Sequence, residues 1–460
     1  MTSRLSVTGI AADVAAGRLT AVAVAEDVIA RLIAYDAVQP QAWISRAAPE
    51  ALIAQAAAID ARVAAGEDLP LAGVPFAVKD NIDAAGFDTT AACPAFAYRP
   101  EANATVVDKV LKAGALLVGK TNLDQFATGL NGTRSPYGAP RCVYNGDYIS
   151  GGSSSGSAVA VAAGLVAFAF GTDTAGSGRV PAAINHLIGF KPTKGRWSTS
   201  GLVPACRTLD CITVFTATVE EALKIDSVVA GFDATDDYSR PLSNLGEAVR
   251  TLGVARPDQL DWCGDTESEA LYRAAVDRFR ALGCVFREID YAPLAEAAAL
   301  LYSGPWVAER TAAVADFLAS NADDFDPTVR TIIEGGLKVS GVDAFAGQYR
   351  LEGYKRAADT LWDDIDALLL PTAPTTYTVA AMRADPVRLN AKLGLYTNFV
   401  NLLDMAAVAV PAGFRANTTG FGVTLIGPAW SDWSVAQLGS AYAAALDLTP
   451  PALDLTHKEF

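Results

Sequence analysis

The chain has 460 residues, of which 51% are hydrophobic and 19% are charged. Such a chain can bury a large core, and its charged fraction is too low for a disordered protein. The formal net charge is -15 and no cluster of lysine and arginine stands out, so nucleic acid and anionic membranes are not expected as partners.

The cysteines and the N-terminal residues predict a cytoplasmic protein. The six cysteines form no C-x-x-C pair, which argues against a zinc site and favours buried thiols in a reducing compartment. The first residues lack the charged and then apolar profile of a signal peptide, and the apolar runs are short and interrupted by glycine, unlike a transmembrane helix. We also expect no metal and no cofactor.

Predicted helices and strands alternate along the chain. Residues 8–65 are predicted to be helical, with Thr8 and Thr20 as helix caps. Later helices are predicted at 106–113 and 267–282, and buried strands at 115–119, 165–170, 284–289, 367–370 and 408–410. This alternation predicts an α/β fold with a mixed central β-sheet sandwiched between helices. We interpret residues 1–70 as a helical N-terminal region that packs on the core formed by 71–460.

A serine-rich loop occupies residues 151–157, in which Ser153 follows two glycines. Glycine allows the backbone to approach a ligand closely, and the serines supply hydroxyls beside a predicted helix start. On these residues alone, the segment is either part of a binding site or a Gly/Ser surface loop.

A second serine, Ser177, stands between Gly176 and Gly178 soon after the predicted strand 165–170. A serine in a turn at the end of a strand is well placed to meet a substrate, and the backbone N–H groups of such a turn can bind an oxyanion. The alternative is a tight turn in which Ser177 has only a structural role.

A lysine, Lys79, ends an apolar run that begins at Leu71. Burial lowers the pKa of a lysine toward neutrality, and the neutral amine can then act as a general base. We expect a nearby helix start and Arg179 to help keep Lys79 neutral. The alternative is an exposed pair between Lys79 and Asp80.

Together these three segments resemble the amidase signature family in order and spacing. The resemblance covers about residues 71–215, and its two serines, Ser153 and Ser177, stand in the family's arrangement. It implies the amidase signature fold, with Lys79 as base, Ser153 as proton shuttle and Ser177 as nucleophile. The implied oxyanion hole consists of the backbone N–H groups of Thr174, Ala175, Gly176 and Ser177. Ala175 departs from the glycine found in many members, but its N–H group is retained.

The serine-rich loop also matches G-x-S-x-G, the nucleophile elbow of the α/β-hydrolases, with Ser154 as its serine. That motif requires a strand directly before it and a histidine late in the chain. Residues 143–150 contain Asn, Gly and Asp, and the two histidines are His186 and His457. One lies too early for the usual order and the other lies three residues from the end, so the elbow is disfavoured.

Within the family, residues 122–138, 191–198 and 203–211 most resemble the allophanate hydrolases. Their substrate-binding tyrosine and arginine stand eight positions apart, which Tyr302 and Arg310 match. A guanidinium can hold a carboxylate through two parallel hydrogen bonds, and a phenol can add a third. Pro305 breaks the helix between the two residues, so both side chains could turn inward. The alternative is an ion pair between Arg310 and Glu309.

This resemblance implies hydrolysis of the C–N amide bond of allophanate, a small anion from urea and cyanuric acid degradation. Ammonia and carbon dioxide would be released through a carboxylated carbamate. A biuret-type hydrolase, a catalytically silent scaffold and an amidotransferase subunit stay open as alternatives. We interpret Phe460 as the end of the amidase region; either the additional C-terminal domain of relatives is absent from this protein, or the chain is a truncated form of a longer one. Family habit favours a homodimer.

Overall fold

A computed structural model describes residues 4–243, 246–446 and 448–456. Eleven strands of this part of the chain join one sheet, and they are β1 (Trp43–Arg46), β2 (Pro75–Lys79), β3 (Leu116–Thr121), β4 (Phe168–Asp173), β5 (Ile188–Lys191), β6 (Cys211–Thr216), β7 (Thr251–Ala255), β8 (Val285–Ile289), β9 (Ala367–Pro371), β10 (Ala406–Phe414) and β11 (Gly420–Gly427). Their order across the sheet is β1-β3-β2-β4-β6-β5-β10-β11-β9-β7-β8. Strand β2 runs parallel to β3 and β4, strand β7 runs parallel to β8 and β9, and the other neighbouring pairs are antiparallel.

Helices flank this sheet. The α-helices of the described residues are α1 (Val7–Ala15), α2 (Ala21–Asp36), α3 (Pro49–Ala64), α4 (Thr105–Lys112), α5 (Ser155–Ala162), α6 (Val180–Ile184), α7 (Val219–Val229), α8 (Thr266–Ala281), α9 (Ala292–Ser303), α10 (Trp306–Asn321), α11 (Pro327–Gly335), α12 (Gly341–Asp359), α13 (Val379–Ala384), α14 (Arg388–Leu393), α15 (Phe399–Leu402) and α16 (Asp432–Ala444). None of the helices formed by the described residues is both long and apolar enough to cross a membrane.

The two faces of the sheet are covered by separate hydrophobic cores. In β9, Ala367 and Leu369 belong to the larger core, whereas Leu368 and Leu370 belong to the second. Because successive side chains of a strand point to opposite faces, the two cores lie on opposite sides of the sheet. Helices α9, α10, α12 and α15 contribute to the second core, and most other helices contribute to the larger one. The predicted mixed sheet between helices is confirmed.

The N-terminal helix caps agree with the sequence at one of two positions. Thr20 caps α2, where its hydroxyl accepts the N–H of Ala23 at 3.1 Å. The predicted cap at Thr8 is wrong, because Ser6 caps α1 by accepting the N–H of Gly9 at 3.1 Å.

Two strands differ from the predicted pattern. The short strand β1 lies within the region predicted as helical and pairs with β3 at the edge of the sheet. The strand predicted at 165–170 begins at Phe168, since the N–H of Leu165 returns to the carbonyl of Ala160 at 2.9 Å and closes helix α5. The strand also ends later than predicted: β4 continues to Asp173, directly before the segment that carries Ser177. The division at residue 70 stays a prediction.

Candidate active site

The three predicted segments meet because of the strand order. Strand β2 ends at Lys79 and its parallel neighbour β4 ends at Asp173, so the residues after both strands leave the same edge of the sheet. Ser153 lies just before helix α5, which packs on β2 and β4. The carboxyl ends of parallel strands are a common place for binding sites in α/β proteins.

The side chain of Lys79 is fully buried and points at two hydroxyl groups. Its Nζ lies 2.8 Å from Ser153 Oγ and 2.7 Å from Thr172 Oγ1. An exposed pair with Asp80 does not form, because Asp80 pairs with the buried Lys120 at 3.2 Å. Lys79 thus has a hydroxyl environment rather than a carboxylate partner. The contact with Thr172 was not foreseen from the sequence.

Burial lowers the pKa of Lys79 from 10.5 to about 7. The carboxylates of Asp124, Asp210 and Asp173 act in the opposite direction, and Arg310 adds a further lowering. At neutral pH, a substantial fraction of the amine is therefore unprotonated, as a general base requires.

The expectation that Arg179 keeps Lys79 neutral is wrong. The Arg179 guanidinium donates two hydrogen bonds to the carboxylate of Asp173, at 2.8 and 2.9 Å. Both side chains of this pair are completely buried. The charge of Arg179 is thus balanced by a carboxylate only six positions away, and the cation that lowers the pKa of Lys79 is Arg310.

The two serines lie against the same loop after β3. The carbonyl of Ser153 accepts the N–H of Asp124 at 3.1 Å, and Ser177 Oγ donates to the carbonyl of Gly129 at 3.4 Å. Ser177 is 3% exposed. Within residues 4–243, the serine hydroxyls of Ser153 and Ser177 make no hydrogen bond to each other. Proton transfer between them therefore requires the Ser177 hydroxyl to leave Gly129.

The segment 174–177 offers backbone donors beside Ser177. The N–H of Gly176 donates to Asp173 Oδ1 at 2.7 Å, so this member of the predicted oxyanion hole already has an acceptor. The N–H groups of Thr174, Ala175 and Ser177 have no acceptor among the described residues. Gly176 has a φ of +128°, and a Cβ there would lie 2.4 Å from Thr397 Oγ1. The turn therefore requires glycine at this position.

An aspartate that the sequence reasoning missed shapes the loop beneath Ser177. The carboxylate of Asp124 accepts the N–H groups of Asn131, Gly132 and Arg134 at 3.2, 3.0 and 3.1 Å. A Cβ on Gly129 would lie 2.5 Å from this carboxylate, so Gly129 can approach it closely only as glycine. Asp124 lies within residues 122–138, which resemble the allophanate hydrolases, but that resemblance alone does not indicate what Asp124 does.

Tyr302 and Arg310 lie close together on opposite sides of a helix break. Helix α9 ends at Ser303 and α10 begins after Pro305. The guanidinium carbon of Arg310 lies 5.3 Å from the centre of the Tyr302 ring. The phenol ring is half-buried and lines a cavity of about 300 Å³ between α9 and the segment 391–398.

Arg310 is buried, and none of the carboxylates in the described part of the chain forms an ion pair with it. It is 2% exposed, its Nη1 lies 3.4 Å from Thr128 Oγ1, and its Nε has no hydrogen-bond partner among the described residues. The alternative pair with Glu309 does not form, because Glu309 accepts the N–H and hydroxyl of Thr208 at 2.7 and 2.8 Å. Thr128 precedes Gly129, the residue that contacts Ser177, so the cation lies near Ser177.

His186 is not placed for a serine–histidine site. The ring of His186 stacks on Phe414 at a centroid distance of 4.6 Å, and burial lowers its pKa to about 3. His457 lies outside the described residues. Ser154, the serine of the elbow motif, donates to the carbonyl of Thr172 at 3.1 Å. The described residues also contain no group of three or more acidic, cysteine or histidine side chains that could hold a metal ion.

The comparisons with known proteins agree with this geometry. The model of the amidase family matches residues 26–435. The chain belongs to the amidase family. Urea amidolyase of Lachancea kluyveri is 50% identical to this amidase over 381 residues, which cover 82% of this chain and 21% of that protein. This amidase thus spans about a fifth of the length of the urea amidolyases that it matches.

Two further relatives are matched by this amidase over most of their own length. The structure of Kluyveromyces lactis allophanate hydrolase is 43% identical and superposes with a TM-score of 0.89, over 95% of this amidase and 72% of that chain. The matching chain of the glutamyl-tRNA(Gln) amidotransferase of Streptococcus thermophilus is 34% identical over 437 residues, which cover 87% of this amidase and 88% of that protein. The fold of this amidase is therefore that of the amidase signature enzymes.

Proposed function

We propose that this amidase hydrolyses the C–N amide bond of allophanate through an acyl-enzyme on Ser177. Ammonia leaves in the first half of the reaction, and water then releases a carboxylated carbamate, which loses carbon dioxide. The proposal assigns the base to Lys79, the proton shuttle to Ser153, and substrate binding to Tyr302 and Arg310.

The observation that carries the substrate class is the unpaired Arg310. A buried charge is costly unless it is paired and hydrogen-bonded, and the one hydrogen bond that Arg310 makes within the described residues is the 3.4 Å contact with Thr128. A small ligand with a carboxylate would supply the missing partner and accept from the free Nε. The Tyr302 ring lies beside the guanidinium, so its hydroxyl can add a hydrogen bond to the same anion. Allophanate has such a carboxylate, whereas urea and biuret do not.

The chemistry begins with proton transfer from Ser177. Neutral Lys79 accepts the proton of Ser153 across the 2.8 Å contact, while Ser153 Oγ takes the proton of Ser177. Ser177 Oγ then attacks the carbonyl carbon, and negative charge develops on the carbonyl oxygen. The free N–H groups of Thr174, Ala175 and Ser177 are the donors available for that oxygen.

The proton then returns to the leaving group. Protonated Lys79 passes a proton through Ser153 to the amide nitrogen, the C–N bond breaks and ammonia departs. In the second half, water gives a proton to the same relay and its oxygen attacks the acyl carbon. The ester bond to Ser177 Oγ then breaks, and the relay returns the proton to that oxygen. A lysine with a pKa of about 7 can both accept and donate in this cycle at neutral pH.

The direct test is ammonia release from a panel of amides: allophanate, malonamate, biuret, urea and glutamine. We expect kcat/KM to be highest for allophanate, lower for malonamate, which also has a carboxylate, and much lower for the neutral amides. The Ser177→Ala protein, prepared in the same way, is the control for spontaneous ammonia release and for contaminating activities.

The panel also separates the alternatives. A preference for glutamine would favour an amidotransferase-type activity, which the 34% identical relative makes a specific second candidate. Equal turnover of biuret and allophanate would contradict selection by a carboxylate. Either result would leave the amide chemistry in place but would refute the assigned substrate.

We also propose that the protein acts as a cytoplasmic homodimer. All six cysteines are free and five are buried, as expected in a reducing compartment. The start of α12 has exposed apolar side chains at Val342, Phe345 and Tyr349, which are 78%, 65% and 73% exposed. Such a stripe favours contact with a second copy. Sedimentation of the wild type should give a dimer and Phe345→Lys a monomer; a monomeric wild type would contradict the proposal.

A further inference from the structure

Two carboxylates, those of Asp173 and Asp210, bind the segment 174–177 that contains Ser177. Asp210 Oδ1 accepts the hydroxyl of Thr174 at 2.5 Å. The same carboxylate accepts the N–H of Ala205 at 2.8 Å and the N–H of Cys206 at 3.2 and 3.1 Å. Asp210 is 6% exposed, so these donors replace the water that it loses.

The contact with Thr174 is the only one of these bonds that reaches the segment 174–177. At the other end of this segment, Asp173 binds the N–H groups of Gly176 and Gly178 at 2.7 and 3.1 Å. The carboxylate of Asp173 thus holds backbone N–H groups of this turn, and the carboxylate of Asp210 holds the side chain of Thr174. Between these two points lie the N–H groups that have no acceptor among the described residues.

Asp210 also interacts electrostatically with the two basic side chains of the site, Lys79 and Arg310. Its carboxylate raises the pKa of Lys79, and Arg310 lowers the pKa of Asp210 itself. Burial has the larger effect and raises the pKa of Asp210 to about 6, so the group is mostly ionised at neutral pH. A charged acceptor makes a stronger hydrogen bond to the Thr174 hydroxyl than a neutral one would.

We propose that Asp210 and Thr174 form a positioning pair that holds the backbone donors of 174–177 toward the oxyanion. This inference rests on the proposed function of Ser177 as nucleophile. Donors stabilise a developing charge best when they are already oriented, because no reorganisation is then needed during the reaction. In this scheme the side chains of Asp210 and Thr174 contact neither the nucleophile nor the substrate; they act through the orientation of the backbone of 174–177.

The test uses three threonine variants. Thr174→Val removes the hydroxyl and keeps the size, Thr174→Ser restores a hydroxyl, and Thr213→Val is the matched control. Thr213 is buried, lies beside Gly178, and its hydroxyl has no hydrogen-bond partner among the described residues. We expect Thr174→Val to lower kcat by about 10- to 100-fold with KM within about twofold. Thr174→Ser should recover most of that loss, and Thr213→Val should match the wild type.

A second readout does not depend on the substrate. Methylboronic acid forms a tetrahedral anion with a serine hydroxyl, and its binding can be followed by ¹¹B NMR. We expect its Kd to rise in Thr174→Val by about the factor by which kcat falls. If the wild type fails on allophanate, the proposed substrate is wrong, but the boronate affinities still decide about the pair.

An Asp210 variant tests whether the two residues act together. Asp210→Asn should lower kcat, and adding Thr174→Val to it should cause little further loss, because residues that act as a unit are not additive. If Asp210→Asn does not fold, the threonine series and the boronate affinities still decide. Unchanged kcat and unchanged boronate binding in folded Thr174→Val would overturn the positioning pair.

Discussion

Replacing Lys79 with methionine should make the protein more stable at neutral pH while it abolishes activity. The side chain is fully buried, and its pKa falls from 10.5 to about 7 on folding. Between those values the unfolded chain holds a proton that the folded protein does not. The stability contribution of Lys79 is therefore present at high pH and is lost as pH falls through about 7.

The size of this effect follows from the two pKa values. With 10.5 in the unfolded chain and about 7 in the folded protein, the destabilisation by Lys79 is roughly 4 kcal/mol at pH 7 and about 2 kcal/mol at pH 9. The methionine variant also loses the hydrogen bonds to Ser153 and Thr172. That loss does not depend on pH, so it cancels when the two pH values are compared.

Urea unfolding of both proteins at pH 7 and pH 9 measures the difference. We expect the stability of Lys79→Met relative to the wild type to fall by about 2 kcal/mol between these pH values. Thr213→Val serves as a control, since its difference from the wild type should not change with pH. A constant difference for Lys79→Met would mean that the lysine titrates outside this range, and the assignment of a neutral base would be refuted.

Further predictions concern activity. The acid side of the kcat/KM profile should have a midpoint near pH 7, the pKa of Lys79. Lys79→Arg should be inactive because a guanidinium does not lose its proton; an active Lys79→Arg enzyme would refute the assignment of Lys79 as the base. Ser177→Ala should lose at least about 10³-fold in kcat while its circular dichroism stays that of the wild type. Arg310→Ala should raise KM for allophanate by about 30- to several-thousand-fold, since a buried charge-assisted bond is worth roughly 2–5 kcal/mol, and should hardly affect neutral amides; an equal loss on all substrates would mean a structural role. His186→Ala and His457→Ala should keep their turnover in the ammonia assay, and loss of activity in either folded variant would reopen a histidine mechanism.

The sequence predicted those parts of the site that lie within short segments. Lys79, Ser153 and Ser177 each stand in a local pattern of glycine, serine or apolar residues, and parallel strands β2 and β4 bring two of these patterns to one edge of the sheet. The break at Pro305 was equally visible, because proline interrupts a helix for local steric reasons.

The parts that were missed depend on contacts between distant positions. Thr172 lies 93 positions from Lys79, and Asp210 lies 36 positions from Thr174. No periodicity in the chain indicates such a pair; only the strand order does. For Arg179, in contrast, a nearby partner was overlooked: its guanidinium forms an ion pair with Asp173, six positions earlier in the chain. Strand β1 has four residues, too few for alternation to distinguish it from the helices around it.

The central claim is that Ser177 is the nucleophile, and covalent labelling tests it most directly. A serine-reactive fluorophosphonate should add one group to the wild type, and peptide mass spectrometry should place that group on Ser177. Lys79→Met should label far more slowly, because the serine would lack its base. Labelling of Ser154 instead of Ser177, or equal labelling of the wild type and Ser177→Ala, would contradict this assignment.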